Sequence, residues 1–158
     1  MEKDWRFSHI GIIVRDINKT LQYYKSLGIF TISKETPMIM EGKKVSMSGA
    51  HIFLGGLWIE VFQPITGDTL QQKFLDTHGE GINHIGFEVD DIEKERAYMS
   101  SKNIPVAYHI LKSSTYYNVA DYGNLFVELH LGHETPESIA RGLDPSRDVF
   151  KHVRNVNS

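Results

Sequence analysis

Several features that would point to a particular function are missing from this 158-residue sequence. It has no cysteine, which excludes disulfide bonds, thiolate metal ligands and a cysteine nucleophile. It has no run of about 18 apolar residues, so no membrane-spanning helix is expected. Its 17 Lys and Arg residues are outnumbered by 20 Asp and Glu residues, which leaves a net charge of −3 and no basic stripe for nucleic acid.

The N-terminal segment is charged and has no apolar stretch of the kind found in a signal peptide. Together with the lack of cysteine, this favours a cytoplasmic protein. The apolar fraction of 41% and the charged fraction of 23% are typical of an ordinary globular domain. No membrane and no nucleic acid is expected as a partner.

The sequence contains an internal repeat. When His9 is aligned with His84, residues 9–29 and 84–104 are identical at ten of 21 positions without a gap. Both copies contain His-Ile-Gly, an alternating apolar run and Asp-Ile. Duplication is the plain explanation, and such a repeat has to be identified before any local pattern is interpreted.

Each copy predicts a strand followed by a helix. Residues 8–14 and 83–89 alternate as a half-buried strand does. Asp16 and Asp91 stand where the helices would begin, as acceptors for the first free N–H groups. The helical patterns end at Gly28 and at Asn103, both common terminators.

Three further strand candidates follow each helix, at about 29–36, 45–54 and 57–63, and at 105–110, 115–120 and 124–131. Each half is therefore predicted as βαβββ. We expect one domain over residues 1–132, with modules at about 7–63 and 82–131. A connector at 64–81 holds one short helical patch, and residues 133–158 form a C-terminal extension that is partly helical.

Strand parity places one His and one Glu of each half on the same side of the sheet. If the apolar faces of the first strands pack on their helices, His9 and His84 point to the opposite side. Glu60 and Glu128 lie on the corresponding face of the last strand of each half. Two imidazoles and two carboxylates suit a divalent ion such as Zn, Ni, Co, Mn or Fe(II). A single His or Glu on a strand is more often a surface or packed side chain, so the prediction depends on the duplication.

Other residues expected on this face would shape the site. Gly11 and Gly86 follow each His by two positions and are expected to leave space for a ligand. Trp58, Phe62 and Phe126 would either form apolar walls around a bound molecule or pack against the connector or the tail.

Four stretches, taken in order, resemble the vicinal oxygen chelate superfamily: HIGIIVRDINKTLQYYKSLG, LWIEV, INHIGFEVDDI and GNLFVEL. That superfamily includes glyoxalase I, methylmalonyl-CoA epimerase, extradiol dioxygenases and bleomycin-resistance proteins. The resemblance covers about residues 7–131. It implies an α+β fold in which two tandem βαβββ modules form a curved eight-stranded mixed sheet, with a metal ion in the cup. The implied ligands are His9, Glu60, His84 and Glu128. A homodimer is also expected, because family members often pair the open edges of their modules.

The resemblance further implies a metal-dependent isomerase or lyase. A divalent metal ion, Co, Ni, Zn or Mn, would stabilise the enediolate formed when a proton alpha to a carbonyl is removed. Glu128 occupies the position that often combines ligation with proton transfer. Glu41 resembles the second catalytic glutamate of epimerases, and a solvated charge at a hairpin tip is an equal alternative. The stretch EGINHIGFEVDDIE is most similar to methylmalonyl-CoA epimerase, so an acyl-CoA thioester or another carbonyl compound is the expected substrate.

Other activities in the superfamily stay open. Epimerases usually have Gln where this chain has Glu60, whereas glyoxalase I, a lactoylglutathione lyase, has Glu there. An extradiol dioxygenase would use Fe(II), and extra side chains near Glu128 would assist it: His130, Tyr116, Tyr117 and Tyr122. A metal-free protein that sequesters an antibiotic or another small molecule would be expected to lack the ligand residues that this chain retains.

Overall fold

A computed structural model describes residues 3–29, 31–40, 43–54, 57–110, 114–118 and 125–131, and gives the side chains of all of these except 31–40, 43–46 and 110. The strands of the first half are β1 (Arg6–Ile13), β2 (Thr31–Met40), β3 (Lys43–Leu54) and β4 (Leu57–Thr66), with helix α1 (Ile17–Ser26) after β1. Helix α2 (Leu70–His78) lies in the connector. The second half contains β5 (Gly81–Val89), α3 (Ile92–Ser101), β6 (Val106–Ile110), β7 (Ser114–Asn118) and β8 (Phe126–Leu131).

All eight strands form one mixed sheet in the order β2-β3-β4-β1-β5-β8-β7-β6. The pairs β1/β4 and β5/β8 are parallel, and the remaining neighbours are antiparallel. The two modules meet where β1 pairs with β5, at the centre of the sheet. The sheet is curved and open, and its edge strands β2 and β6 come close enough to contact each other. The predicted α+β fold of two tandem βαβββ modules is thus confirmed.

Helices α1 and α3 begin and end in the same way. The caps Asp16 and Asp91 both have φ −139° and ψ 98°, and each carboxylate accepts the backbone N–H three residues on at 3.0 Å. The chain leaves the two helices through Gly28 at φ 75° and Asn103 at φ 56°. Glycine and asparagine adopt this left-handed backbone most readily. The helix boundaries predicted from the repeat are therefore confirmed.

Two equivalent apolar cores lie on one side of the sheet. Beneath α1, the buried core residues are Val14, Ile17, Leu21, Ala50, Ile52 and Val61. Beneath α3, they are Val89, Ile92, Met99, Tyr117 and Leu129. Several members of the two cores, such as Val14 and Val89, are counterparts in the repeat. Burial of these side chains, at about 1.5–3 kcal/mol each, holds both helices on this face.

Helix α2 packs on the opposite side of the sheet. Its Phe74 and Leu75 are buried against Ile13, and Phe62 and Phe126 pack against the same cluster. Ile13, Phe62 and Phe126 lie an even number of positions from His9, Glu60 and Glu128 on their strands and therefore share their face of the sheet. Helix α2 thus covers one end of the face that carries the candidate ligands. Within the described residues, no helix is both long enough and apolar enough to cross a membrane. The predicted extension at 133–158 lies outside the described residues.

Candidate metal centre

The four candidate ligands lie on the four central strands, in two adjacent rows. In one row, Gly11 of β1 pairs with Glu60 of β4 and with His84 of β5. In the next, Gly86 of β5 pairs with His9 of β1 and with Glu128 of β8. Each module thus contributes one His and one Glu, and the strand pairing at the module boundary brings them to one place.

The ligand atoms of these four residues converge to within 4.8 Å of one another. Nε2 of His9 lies 3.1 Å from Nε2 of His84 and 3.1 Å from Oε2 of Glu128. Oε2 of Glu60 lies 3.4 Å from the His9 Nε2 and 3.8 Å from the His84 Nε2. The His84 Nε2 is 3.4 Å from Oε2 of Glu128. The group predicted from strand parity is therefore brought together, with one nitrogen or oxygen of each side chain facing the centre.

Gly11 and Gly86 form the seats on which the two imidazoles lie. A Cβ atom on Gly11 would stand 1.9 Å from Cε1 of His84, and one on Gly86 would stand 2.2 Å from Cε1 of His9. Carbon atoms pack at about 3.5–4.0 Å, so neither position has room for a side chain. The space that the glycines were expected to leave for a ligand is filled by the imidazole of the other module.

The outer oxygen of each carboxylate is bonded to a neighbouring strand. Oε1 of Glu60 lies 3.2 Å from Nε2 of His51, its cross-strand partner on β3. Oε1 of Glu128 accepts a hydrogen bond from the Ser114 hydroxyl on β7. Because the outer oxygens are held in this way, both carboxylates keep Oε2 turned toward the histidines.

The outer nitrogen of each imidazole is also bonded. Nδ1 of His9 lies 3.0 Å from the Ser8 hydroxyl, and Nδ1 of His84 lies 3.1 Å from Oδ1 of Asn83. An amide oxygen can only accept a hydrogen bond, so this contact requires the tautomer of His84 that carries its proton on Nδ1. A neutral imidazole protonated at Nδ1 has its free lone pair on Nε2, which here faces the other three side chains.

This donor set fits a divalent metal ion. Zn–N and Zn–O bonds of about 2.0–2.2 Å in a tetrahedron place ligand atoms about 3.3–3.6 Å apart. The five separations that involve a histidine nitrogen, 3.1–3.8 Å, bracket that range. Moreover, two carboxylate oxygens and the lone pair of His84 converge in a buried place, where they repel each other unless a proton or a cation lies among them. Imidazole and carboxylate together suit first-row divalent ions.

The charges of the four residues are strongly coupled. Burial raises the pKa of Glu60, but His9 and the hydrogen bond from His51 outweigh it and hold the pKa well below its usual value. Burial opposes ionisation of Glu128 as well, and His9 and His84 nevertheless lower its pKa to about 2. Burial lowers the pKa of His9, but Glu60 and Glu128 raise it by more. Without a metal ion, a proton on His9 therefore neutralises part of the carboxylate charge.

The metal-free protein is expected to have its maximum stability between about pH 4.5 and pH 6.5, the ordinary pKa values of Glu and His. The raised pKa of His9 gives a stabilisation that is complete below pH 6.5 and is lost as the pH rises through the raised value. The lowered pKa of Glu128 gives a stabilisation that is present above pH 4.5 and is lost as the pH falls toward 2. Urea unfolding of chelator-treated protein from pH 2 to pH 9 measures this profile. The His9→Gln variant should lack the alkaline decline, and a wild-type free energy of unfolding that rises from pH 6 to pH 8 would contradict the assignment.

Trp58, Phe62 and Phe126 were predicted on this face, either as walls of the site or as residues that pack against the connector. Phe62 and Phe126 pack under α2, so they belong to the packing of the connector. Trp58 is buried and its ring lies 4.5 Å from the ring of His51, beside Glu60. Of the tyrosines near Glu128, Tyr116 lies edge-on to His84 at 5.0 Å, whereas Tyr117 faces the α3 core.

Tyr116 is a neutral side chain of the site. It is the cross-strand partner of Glu128, and burial together with Glu128 and Glu60 raises the pKa of its phenol well above the usual value. His130 lies on the same side, its ring 5.4 Å from that of His9. Two further predicted residues, Glu41 and Tyr122, lie outside the described residues.

His51 is a residue of the site that the repeat and the strand parity do not indicate. Its pairing with Glu60 could have been found, because Gly55-Gly56 is a two-residue turn signal between two strand patterns. Counting outward from that pair by equal steps places His51 opposite Glu60, as the register shows. The roles of Ser8 and Asn83 have no comparable signal, since they depend on irregularities in the pairing of β1 with β5.

Comparison with known sequences finds one matching family. A sequence profile described as Glyoxalase/Bleomycin resistance protein/Dioxygenase superfamily matches residues 8–121. Among curated proteins, the uncharacterized protein YqjC of Bacillus subtilis is 29% identical over 100 residues, which are 63% of this chain and 68% of YqjC. Human mitochondrial methylmalonyl-CoA epimerase is 26% identical over 132 residues, 78% of this chain and 72% of that relative.

Solved structures show the same fold. A variant of Streptomyces coelicolor methylmalonyl-CoA epimerase, in complex with 2-nitronate-propionyl-CoA, aligns with a TM-score of 0.61. The alignment has 24% sequence identity and covers 80% of this chain and 96% of the epimerase chain. At this level of identity, the structural likeness concerns the arrangement of the strands and helices.

Proposed function

Since the chain belongs to the glyoxalase/bleomycin resistance protein/dioxygenase superfamily, we propose that it is a metal-dependent enzyme that moves a proton alpha to a carbonyl group, as methylmalonyl-CoA epimerase does. The observation that carries the proposal is the convergence of two imidazoles and two carboxylates at the junction of the modules. The similarity to epimerases in sequence and fold supports the choice of reaction.

His9, Glu60, His84 and Glu128 are the proposed ligands of a divalent ion, through the atoms that face the centre. When bound, such an ion supplies a Lewis acid that stabilises negative charge on a carbonyl oxygen. The chain itself fixes the orientation of the ligands, because each one lies on a strand and is bonded on its outer side.

Glu128 is the proposed proton-transfer residue. Its pKa of about 2 keeps the carboxylate ionised at neutral pH, and Ser114 fixes its outer oxygen. The side chain is only 5% exposed, so its surroundings are set by the protein and by what binds in the site. Glu41 stays the proposed second catalytic carboxylate, on the strength of the resemblance alone.

The proposed substrate is an acyl-CoA thioester, because relatives are methylmalonyl-CoA epimerases and one was solved with an acyl-CoA analogue. The proposed substrate would approach the cluster from the side of Glu60, where Trp58 and His51 also lie. This side is partly accessible, since the His51 and Glu60 side chains are 27% and 21% exposed. We further infer a homodimer, in which the edge strands β2 and β6 are partly covered.

The test is exchange of the alpha proton. Methylmalonyl-CoA is incubated in D2O with the chelator-treated protein and with Co, Ni, Zn or Mn ions added singly, and deuterium at the alpha carbon is followed by NMR. We expect exchange only when protein and metal ion are both present, and unchanged exchange for the Glu93→Gln variant, whose exposed carboxylate lies on α3. Metal binding without exchange would contradict the proposed reaction, and absence of metal binding would contradict the enzyme assignment as a whole.

One observation favours a second candidate. A glutamate at position 60 is what the resemblance associates with glyoxalase I, and the structure brings the Glu60 carboxylate into the cluster. The same protein preparations should therefore be assayed with the hemithioacetal of methylglyoxal and glutathione. Turnover of the hemithioacetal without alpha-proton exchange of methylmalonyl-CoA would replace the epimerase proposal by a lactoylglutathione lyase.

A further inference from the structure

Both central strands carry a β-bulge immediately before the candidate metal-ligating histidine. The register between β1 and β5 skips Ser8 on one strand and Asn83 on the other. The two skipped residues are equivalent in the repeat, since each precedes its histidine by one position. A bulge leaves one residue out of the ladder and re-aims its side chain, which here turns it toward the neighbouring imidazole.

The bulged residues contact the imidazoles at the nitrogen that faces away from the cluster. The Ser8 hydroxyl is 3.0 Å from Nδ1 of His9, and Oδ1 of Asn83 is 3.1 Å from Nδ1 of His84. Both oxygens can accept the Nδ1 proton, which leaves the Nε2 lone pairs for the centre. In other proteins, partners of this kind fix the tautomer and orientation of a metal-binding histidine.

The fold holds Asn83 in an unfavourable position. The side chain has no solvent exposure, and its Nδ2 has no hydrogen-bond partner among the described residues. A buried amide N–H without a partner destabilises a fold, so an apolar side chain of similar size would suit this position better if packing alone mattered. The asparagine differs from such an apolar residue in one respect: its Oδ1 contacts Nδ1 of His84.

We propose that Ser8 and Asn83 are positioning residues, which act through His9 and His84 by holding the proton on Nδ1 and presenting Nε2 to a divalent cation. This inference rests on the metal-dependent function proposed above. The two bulges make the arrangement symmetric, so that each module orients its own histidine over the glycine of the other module.

The first experiment needs no metal ion. Long-range 1H–15N NMR correlations of the imidazole rings report the tautomer of His84 in the chelator-treated protein. We expect the Nδ1–H form in the wild type and in Asn83→Asp, which keeps the acceptor, and a shift to the Nε2–H form in Asn83→Leu, which removes it. The Nε2–H form in the wild type would overturn the proposal.

The second experiment measures the affinity for Zn ions by competition with a chromophoric chelator, together with the visible spectrum of the cobalt-loaded protein. Ser8→Ala and Asn83→Leu should each weaken binding by roughly 10–100-fold, while Ser8→Thr and Asn83→Asp stay within about threefold. The urea midpoint of metal-free Asn83→Leu should equal or exceed that of the wild type, because the unpaired amide is removed. A merely structural role predicts the opposite change in the midpoint, and unchanged affinity in both deletion variants would overturn the proposal. If the wild type binds no metal ion while its tautomer is as expected, the proposed function and the cation-presenting role both fail, and only the control of the tautomer by Asn83 stands.

Discussion

The Gly86→Ala variant is expected to lose tight metal binding altogether. A methyl group at this position would stand 2.2 Å from Cε1 and 2.5 Å from the ring nitrogens of His9, far inside contact distance. The strand cannot retreat, because Gly86 pairs with His9 on one side and with Glu128 on the other. The imidazole must therefore swing out of the cluster. The loss of Zn affinity should exceed the roughly 10–100-fold loss that removal of an outer contact produces.

A double variant separates displacement of the ring from damage to the sheet. Gly86→Ala combined with His9→Ala removes the clash, so its free energy of unfolding should exceed that of Gly86→Ala alone. Gly11→Ala with and without His84→Ala provides the same cycle in the other module, where the methyl group would stand 1.9 Å from Cε1 of His84. Wild-type Zn affinity in either glycine variant would show that the rings do not lie where the structure places them.

The Glu128→Gln variant is expected to lose alpha-proton exchange by roughly 10²–10⁴-fold, the usual contribution of a positioned acid or base. The amide keeps one oxygen, which can face the centre while its NH2 group donates a hydrogen bond to the Ser114 hydroxyl, so metal binding should weaken much less than exchange. NMR exchange rates at saturating metal concentration separate the two effects. The variant also removes the negative charge that, with Glu60, raises the pKa of His9.

Glu60→Gln is the matched control, because the substitution is chemically identical and lies at the equivalent position of the other module. Glu60 is proposed as a ligand without a role in proton transfer, and the resemblance places glutamine there in epimerases. Exchange should therefore fall much less than in the Glu128→Gln variant. Equal losses in the two variants would show that the modules share the proton transfer or that neither carboxylate performs it.

The repeat in the sequence predicts much of this fold, since ten identities over 21 positions align two strands, two helices and their caps. Strand parity then selects Glu60 and Glu128, because alternation places them on the face opposite the helices. Parity also selects Ile13 and Phe62, yet those residues lie under α2. Which part of a face is covered depends on where the connector helix packs, and that long-range contact leaves no local pattern in the sequence.

The details that hold the site together were harder to predict for the same reason. Bulges at Ser8 and Asn83 interrupt the alternation of side chains between the two faces of the sheet. Simple alternation would place both residues on the face opposite to the histidines that follow them. The glycines were recognised as open positions, but only the pairing of β1 with β5 shows whose imidazole fills each one.

Each imidazole packs on the glycine of the other module, and this arrangement limits the order in which substitutions can accumulate during evolution. Position 11 is coupled to position 84, and position 86 to position 9, each pair joining residues of different modules. A larger side chain at either glycine position becomes tolerable only after the facing histidine has been replaced. Descendants that acquire a bulkier residue at either glycine position should therefore lose the facing histidine first, and this first step alone removes one of the proposed metal ligands.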